Sequence, residues 1–230
     1  MKFKLISISY NFLCRHLIFN NIKEYNEKIF TKTDSKLVKF LDEIHNEFCT
    51  FFEVDIPKPK IFFLENRTEI DEIWGKKTEP WLVGAFRGGV IYIFHPDVFE
   101  SESSHKAEDF WITLKHEYCH FFYNSITKSH YPLWLNEGLA SWMSGKKISK
   151  KAEQIDCFLN IFDYFDKIDK GVYLAGQFWV EYLIENFGKE KFIKLIKSLK
   201  SEFDEKIFSQ VFYRIYGIEF KKQNFFNILN

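Results

Sequence analysis

Apolar residues follow two different periods along this chain, and the period changes near the middle. In the first half, most apolar runs are short and several alternate with polar residues, which is typical of strands with one face on a core. In the second half, apolar residues recur every three or four positions, as on one face of an α-helix. Strands in the first half and helices in the second predict an α+β fold.

The first half also contains two predicted helices. Apolar residues from Leu37 to Phe52 have helical spacing, with Asp34 or Ser35 as the N-cap. Residues 1–33 are predicted to form two or three strands, the last of them around residues 27–33. Further predicted elements are a strand at 60–65, a short helix from 66 closed by Gly75, and strands at 81–86 and 90–94 joined by a glycine-rich turn.

The second half is predicted to be almost entirely helical. A loop from His95 precedes a helix that ends near Ile126, and another helix begins near Pro132, because proline is favoured in a first turn. The later segments that keep the helical apolar repeat are 151–165, 172–188, 189–200 and 204–217.

Length and charge narrow the classes of function. The 230 residues suit a single domain, predicted here as an α/β lobe (1–127) followed by a helical lobe (128–230). The net charge is zero, with 32 basic and 32 acidic residues, which argues against nucleic acid as the main partner. The sequence leaves the oligomeric state open.

The N-terminal segment and the cysteines bear on location. Ser7, Ser9 and Asn11 alternate with apolar residues, which is a strand period and differs from the apolar core of a signal peptide. No run reaches the roughly 18 apolar residues that a membrane span requires. The four cysteines form no CxxC pair and are expected to be reduced thiols. We therefore expect a cytoplasmic protein without a membrane span.

The stretch "HEYCH" contains the strongest chemical signal. On a helix, His116 and His120 lie on one face, one turn apart, so both imidazoles can reach one metal ion. Glu117 lies about 100° further round the helix and cannot easily be a third ligand beside them. It can serve instead as the general base that takes a proton from water at the metal.

A catalytic zinc site needs a third protein ligand and one open position. The segment "WLNEGLASW" places Glu137 on a second predicted helix, and the loop before it is long enough to fold that helix back. The alternative is a histidine-bearing helix followed by an ordinary one, because HExxH alone fixes few positions. The placement of Glu137 among Trp134, Leu135 and Leu139 argues against its solvation, which favours the metal site.

"HEYCH" followed by "WLNEGLASW" resembles the gluzincin branch of zinc metallopeptidases, in particular the aminopeptidase-like and small peptidase MA-like domains. The resemblance implies a zincin-like α+β fold that binds one zinc through His116, His120 and Glu137 and hydrolyses a peptide or protein substrate. It also implies an edge strand that pairs with an extended substrate, for which Leu82–Val90 is the candidate strand or its turn; an ordinary hairpin is the alternative interpretation of this segment. It further implies an oxyanion-stabilising tyrosine, for which Tyr173 matches best; Tyr164 and Tyr182 are alternatives.

The sequence departs from the resembled families at two positions. Their aminopeptidases carry an acid that holds the substrate amine, and "GAFRGG" has none, which argues against aminopeptidase specificity. An Asp that orients the first histidine in thermolysin-like enzymes is replaced here by Ser141, a weaker acceptor. A zinc-binding zincin-fold module without catalysis is therefore one alternative function, and a metal-free domain for protein contacts is another. His130 is expected to have no role.

Overall fold

The structure is a computed structural model, and it describes residues 35–146, 155–167, 171–199 and 204–229. The strands predicted within residues 1–33 lie outside the described residues. Contacts between Cα atoms divide the chain into two compact units, residues 1–47 and 48–230. In the first unit, the described residues form the start of one helix, in which Lys39 Nζ lies 3.7 Å from a carboxylate oxygen of Glu43. The division into lobes at residue 127 stays a prediction.

The structure is mixed, with a small sheet and mostly helix, which agrees with the α+β prediction. None of the helices in the described ranges combines the length and apolarity needed to cross a bilayer. In chain order the elements are α1 (Ser35–Phe52), β1 (Lys60–Leu64), α2 (Arg67–Trp74), β2 (Gly84–Arg87), β3 (Val90–Phe94), α3 (Asp109–Thr127), α4 (Leu133–Met143), α5 (Ile155–Leu159), a 3₁₀ turn (Asn160–Asp163), α6 (Gly171–Phe187), α7 (Lys189–Ser198), α8 (Glu205–Tyr216) and α9 (Lys222–Leu229).

The sheet has the strand order β1–β3–β2 and mixed pairing. Strand β3 is parallel to β1, with Tyr92 opposite Phe62, and antiparallel to β2, with Tyr92 opposite Ala85. All five residues of β3 are buried, as expected for a central strand. Gly88 and Gly89 connect β2 to β3 with positive φ angles of 60° and 85°, which glycine adopts without steric cost. Strand β2 is therefore an edge strand of the described sheet.

Helix α3 presents one face to an aromatic core. Its core residues recur every four positions and are buried: Phe110, Leu114, Tyr118 and Phe122. The ring of Phe122 lies 5.3 Å from that of Phe48 and stacks on that of Phe52 at 5.6 Å, centroid to centroid, at the C-terminal end of α1. This packing leaves a different face of α3 available for polar side chains.

Helices α4 and α6 cross with their backbones in contact. A Cβ at Gly138 would lie 2.2 Å from the carbonyl carbon of Gly176, and a Cβ at Gly176 would lie 2.1 Å from the Trp134 carbonyl oxygen. Only glycine fits at either position, because real Cβ atoms do not approach other atoms this closely. Together the two glycines allow α4 and α6 to approach without intervening side chains.

The C-terminal helices cover the far side of this helix pair with aromatic rings. Trp134 stacks on Phe220 at 5.8 Å between centroids, and Phe225 of α9 lies 4.5 Å from Trp179. The sequence reading did not predict α9. It also predicted one helix over 151–165, whereas in the described part α5 ends at Leu159 and a 3₁₀ turn follows.

Candidate metal centre

The three residues predicted as ligands from the sequence each bring one side-chain atom close to the other two. The Nε2 atoms of His116 and His120 lie 3.1 Å apart. The Oε2 atom of Glu137 lies 3.3 Å from Nε2 of His116 and 3.5 Å from Nε2 of His120. Two atoms from α3 and one from α4 therefore form a nearly equilateral triangle.

This triangle has the dimensions that a tetrahedral zinc ion requires. Bonds of about 2.0–2.1 Å at tetrahedral angles separate neighbouring ligand atoms by about 3.3–3.4 Å. The observed separations of 3.1, 3.3 and 3.5 Å lie around this value. A proton shared between two of the atoms satisfies only one edge of the triangle, whereas a cation above its centre can contact all three. The residues fit a metal ion with one open coordination position.

Glu117 is a second carboxylate within metal-binding reach. One donor atom each of His116, Glu117 and His120 lie within 4.8 Å of one another. However, the backbone N–H of Phe86 hydrogen-bonds the Glu117 carboxylate, which holds it toward strand β2. Since Glu137 Oε2 completes a compact triangle with both imidazoles, Glu137 is the better candidate for a third ligand, and Glu117 is a candidate for a position beside a metal ion.

A short connection brings Glu137 to the two histidines. Helix α3 ends where Lys128 adopts the left-handed conformation, with φ 58°. The hydroxyl of Tyr123 then donates to the carbonyl of Tyr131 at 2.8 Å, and the side-chain amide of Asn136 donates to the carbonyl of His130 at 3.1 Å. The loop is thus bonded to both helices that it joins, which fixes the start of α4 beside α3.

Asn136 controls which nitrogen of His120 faces the metal position. Because its NH₂ group donates to the His130 carbonyl, its Oδ1 atom faces Nδ1 of His120, at 2.8 Å. An amide oxygen only accepts, so Nδ1 of His120 carries a hydrogen. In neutral His120 the lone pair is therefore on Nε2, the atom in the triangle, which is the tautomer that a metal ligand needs.

The buried charges at the centre are strongly coupled. Burial of the imidazole opposes its protonation, but the carboxylate of Glu137 more than offsets this and raises the pKa of His120 to about 9. Burial also opposes ionisation of Glu137, yet the two imidazoles hold the pKa of that carboxyl well below its usual range. Glu137 is thus an anion placed to receive a cation.

Glu117 lies in a different environment from Glu137. Its side chain is buried, and this burial raises the pKa of Glu117 above the usual range, although the neighbouring imidazoles oppose the shift. A carboxyl group with a raised pKa is a better proton acceptor and donor near neutral pH than an ordinary one. The environment therefore suits the role of general base.

Of the three candidate tyrosines, only Tyr173 lines the cavity that contains the metal centre. Its ring centroid lies 6.2 Å from that of His116. Burial, reinforced by the charges of Glu137 and Glu117, raises the pKa of Tyr173 well above its usual value, so the phenol keeps its proton. Tyr164 is buried and its carbonyl accepts from Trp134 N–H, while Tyr182 packs among aromatic rings.

The metal centre opens into a cavity of about 670 Å³. One wall is edge strand β2 with the residues before it, and another is helix α3. Ser141, which the sequence reading considered as a partner of the first histidine, is buried and also lines this cavity. The cavity volume lies in the usual range of ligand sites and is large enough for part of an extended peptide.

The three side chains predicted as ligands lie together in the structure, but the sequence does not indicate Asn136. The expected position of an orienting group is four residues after Glu137, whereas Asn136, just before Glu137, bonds the second histidine. His130, expected to have no role, contributes its backbone carbonyl. In the sequence, the only indication is an amide residue next to Glu137. Its partner cannot be inferred without the geometry of the loop.

Comparisons with protein-family models, with curated proteins and with solved structures find nothing that matches this chain. The function is therefore inferred from the residues and geometry of the site itself.

Proposed function

We propose that this protein is a zinc-dependent metallopeptidase of the gluzincin type, with a zincin-like α+β fold. The observation that carries the proposal is the triangle of Nε2, Nε2 and Oε2 atoms from His116, His120 and Glu137. Its dimensions fit zinc, and the Glu117 carboxylate and the Tyr173 ring close to it support roles as a base and a hydroxyl donor.

His116, His120 and Glu137 would hold the metal, and Glu117 and Tyr173 would act beside it. When bound, zinc supplies Lewis acidity, which polarises a carbonyl and lowers the pKa of water to about 7. Glu117 accepts the proton of the attacking water and passes it to the amine that leaves when the peptide bond breaks. The Tyr173 hydroxyl donates a hydrogen bond to the oxygen on which negative charge develops.

Edge strand β2 gives the substrate a backbone to pair with. An extended peptide can add to β2, at the edge of the sheet that the described residues form, beside Glu117, by main-chain hydrogen bonds. Such pairing aligns the scissile bond with the base without reading side chains. The substrate class is therefore an unfolded segment of a peptide or protein. The four cysteines of the sequence form no CxxC pair, and we propose a cytoplasmic location.

Metal analysis and one conservative variant test the proposal together. Purified without chelator, the protein is expected to hold one zinc ion per chain, and Glu137→Ala is expected to lose it. Glu117→Gln is expected to keep zinc while kcat falls roughly 10²–10⁴-fold, because only the base is removed. Glu108→Gln, at an exposed residue just before α3, is the matched control.

Each alternative result has a separate meaning. Absence of zinc, or zinc binding that is indifferent to Glu137, would refute the metal site. Zinc bound at the expected ligands with no cleavage of any peptide would indicate the non-catalytic zinc-binding module instead. Full activity in Glu117→Gln would exclude this residue from the reaction.

A further inference from the structure

Two of the exposed large apolar side chains lie beside the metal centre. In the described ranges these exposed side chains are Val38, Trp81, Ile112, Ile207, Tyr213 and Phe226. Trp81, 49% exposed, and Ile112, 41% exposed, line the same cavity as His116 and Glu137. Exposed apolar area at a cavity wall costs free energy unless a ligand covers it.

Trp81 is held in place by the backbone around it. Nε2 of His105 lies 3.0 Å from the carbonyl oxygen of Trp81. The guanidinium of Arg67 donates to the carbonyls on either side, those of Pro80 at 3.2 Å and Leu82 at 2.7 Å. It also donates to Glu102, on a separate loop. The exposure of Trp81 is thus a property of a well-bonded segment.

Ile112 lies one helical turn before the first histidine ligand. Residues 112 and 116 are at i and i+4 in α3, so their side chains project from the same face, about 5–6 Å apart. An apolar surface at Ile112 therefore begins about one helical turn from His116. Trp81 precedes edge strand β2, which forms the adjoining wall of the cavity.

We propose that Trp81 and Ile112 form an apolar subsite that receives a large aliphatic or aromatic side chain of the substrate, close to the cleaved bond. The inference rests on the proposed function, because the occupant is part of a peptide paired with β2. Trp81 and Ile112 line the same cavity as the metal centre, so a peptide bound at the metal brings its side chains to this surface. An aromatic or branched aliphatic group offers far more apolar area to cover these two residues than alanine does.

Binding to a protein that cannot turn over tests the subsite independently of catalysis. Zinc-loaded Glu117→Gln is titrated with fluorescent peptides that differ only in one central residue, Phe, Leu or Ala, and anisotropy gives the Kd. The Phe and Leu peptides are expected to bind at least about tenfold more tightly than the Ala peptide. Adding Trp81→Ala or Ile112→Ala is expected to remove most of this difference.

Tyr213→Ala is the matched control, since Tyr213 is 56% exposed on α8 and does not line the cavity. It is expected to keep the full preference. Trp81→Gln repeats the test with a polar side chain in case Trp81→Ala does not fold. In parallel, wild-type protein is incubated with a mixed peptide library and the cleavage sites are read by mass spectrometry.

The outcomes separate the subsite from the proposed function. Cleavage without preference for large apolar residues overturns the subsite and leaves the peptidase intact. An apolar binding preference lost in Trp81→Ala, with no peptide cleaved by the wild type, supports the subsite and refutes the catalytic proposal. A lower thermal midpoint in Trp81→Ala with the preference unchanged assigns Trp81 to packing within the chain and overturns the subsite. Absence of any peptide binding also overturns it.

Discussion

Gly84 lies directly against the side chain of Glu117. A Cβ at Gly84 would be 3.1 Å from Cγ of Glu117, 3.2 Å from the carbonyl oxygen of Tyr92 and 3.4 Å from Cγ1 of Ile93. Two residues along the same strand, the backbone N–H of Phe86 hydrogen-bonds the Glu117 carboxylate. Strand β2 thus positions Glu117, the proposed base, in two ways. Gly84 has no side chain that would displace it, and the N–H of Phe86 bonds its carboxylate.

We expect Gly84→Ala to impair catalysis without removing the metal. The added methyl group displaces Glu117 by a few tenths of an ångström, because the Tyr92 carbonyl belongs to the sheet and moves less. Such a displacement is expected to lower kcat by about tenfold, with little change in KM. Steady-state kinetics beside zinc analysis and a thermal midpoint check this. Unchanged kcat, or a loss of zinc that accounts for the change, would contradict the positioning role.

Asn136→Ala is expected to weaken zinc binding. The substitution removes the acceptor that holds the hydrogen on Nδ1 of His120, so the imidazole loses both its orientation and its preferred tautomer. Loss of such a partner typically costs roughly 10–100-fold in metal affinity. Asn124→Ala is the control, because Asn124 bonds only the backbone carbonyl of His120. Competition with a chromophoric chelator gives the affinities, and equal values for both variants would count against this role.

Gly176→Ala is expected to destabilise the fold. Its new Cβ would lie 2.1 Å from the Trp134 carbonyl, so α4 and α6 must separate. Overpacking of this kind costs about 1–3 kcal/mol, and here the obstacle is backbone that cannot rotate away. Glu185→Ala, at an exposed position of the same helix, is the control. Urea unfolding measures the free energy, and a variant as stable as the wild type would show that the crossing is looser than described.

Arg67→Met is expected to loosen the segment before β2. The guanidinium donates to Thr78 Oγ1 and to the carbonyls of Glu79 and Leu82. Losing this set is expected to cost about 1–3 kcal/mol. Hydrogen exchange over residues 76–82 should speed up first. Arg87→Met, which removes one exposed bond to the Ile73 carbonyl, should leave exchange in this segment unchanged; equal acceleration in both variants would argue against a specific anchor.

Zinc is expected to stabilise the protein against unfolding. A ligand that binds only the native state at 100 times its Kd adds about 2.7 kcal/mol. Removal of the metal with a chelator should lower the thermal midpoint, and adding zinc back should restore it. Glu137→Gln should show a smaller response, because it replaces the anionic ligand by a neutral one. A midpoint insensitive to chelator and zinc in the wild type would count against the site.

The grouping of the candidate site residues could be predicted because it is local in sequence. His116, Glu117 and His120 share one turn of helix, and Glu137 follows within a well-marked second helix. Hairpin β2–β3 was equally predictable, since the Gly88–Gly89 turn stands between two apolar runs. The α+β class followed from the change of period.

Contacts that depend on the path of a loop could not be predicted. Asn136 reaches His120 only because the preceding loop turns α4 back and because its amide also bonds His130. The approach of Gly84 to Glu117 joins residues on different elements. Helix α9 is only eight residues long, too short for its apolar repeat to be distinctive, and its packing against Trp179 is a tertiary contact.

No side chain separates the backbones of α4 and α6 where Gly138 meets Gly176. Glu137 is the neighbour of Gly138, and Tyr173 precedes Gly176 by about one turn. The relative position of the backbones that carry Glu137 and Tyr173 is therefore set by main chain against main chain. If a ligand widens the cavity, we expect the wall formed by β2 to move more than this helix pair does.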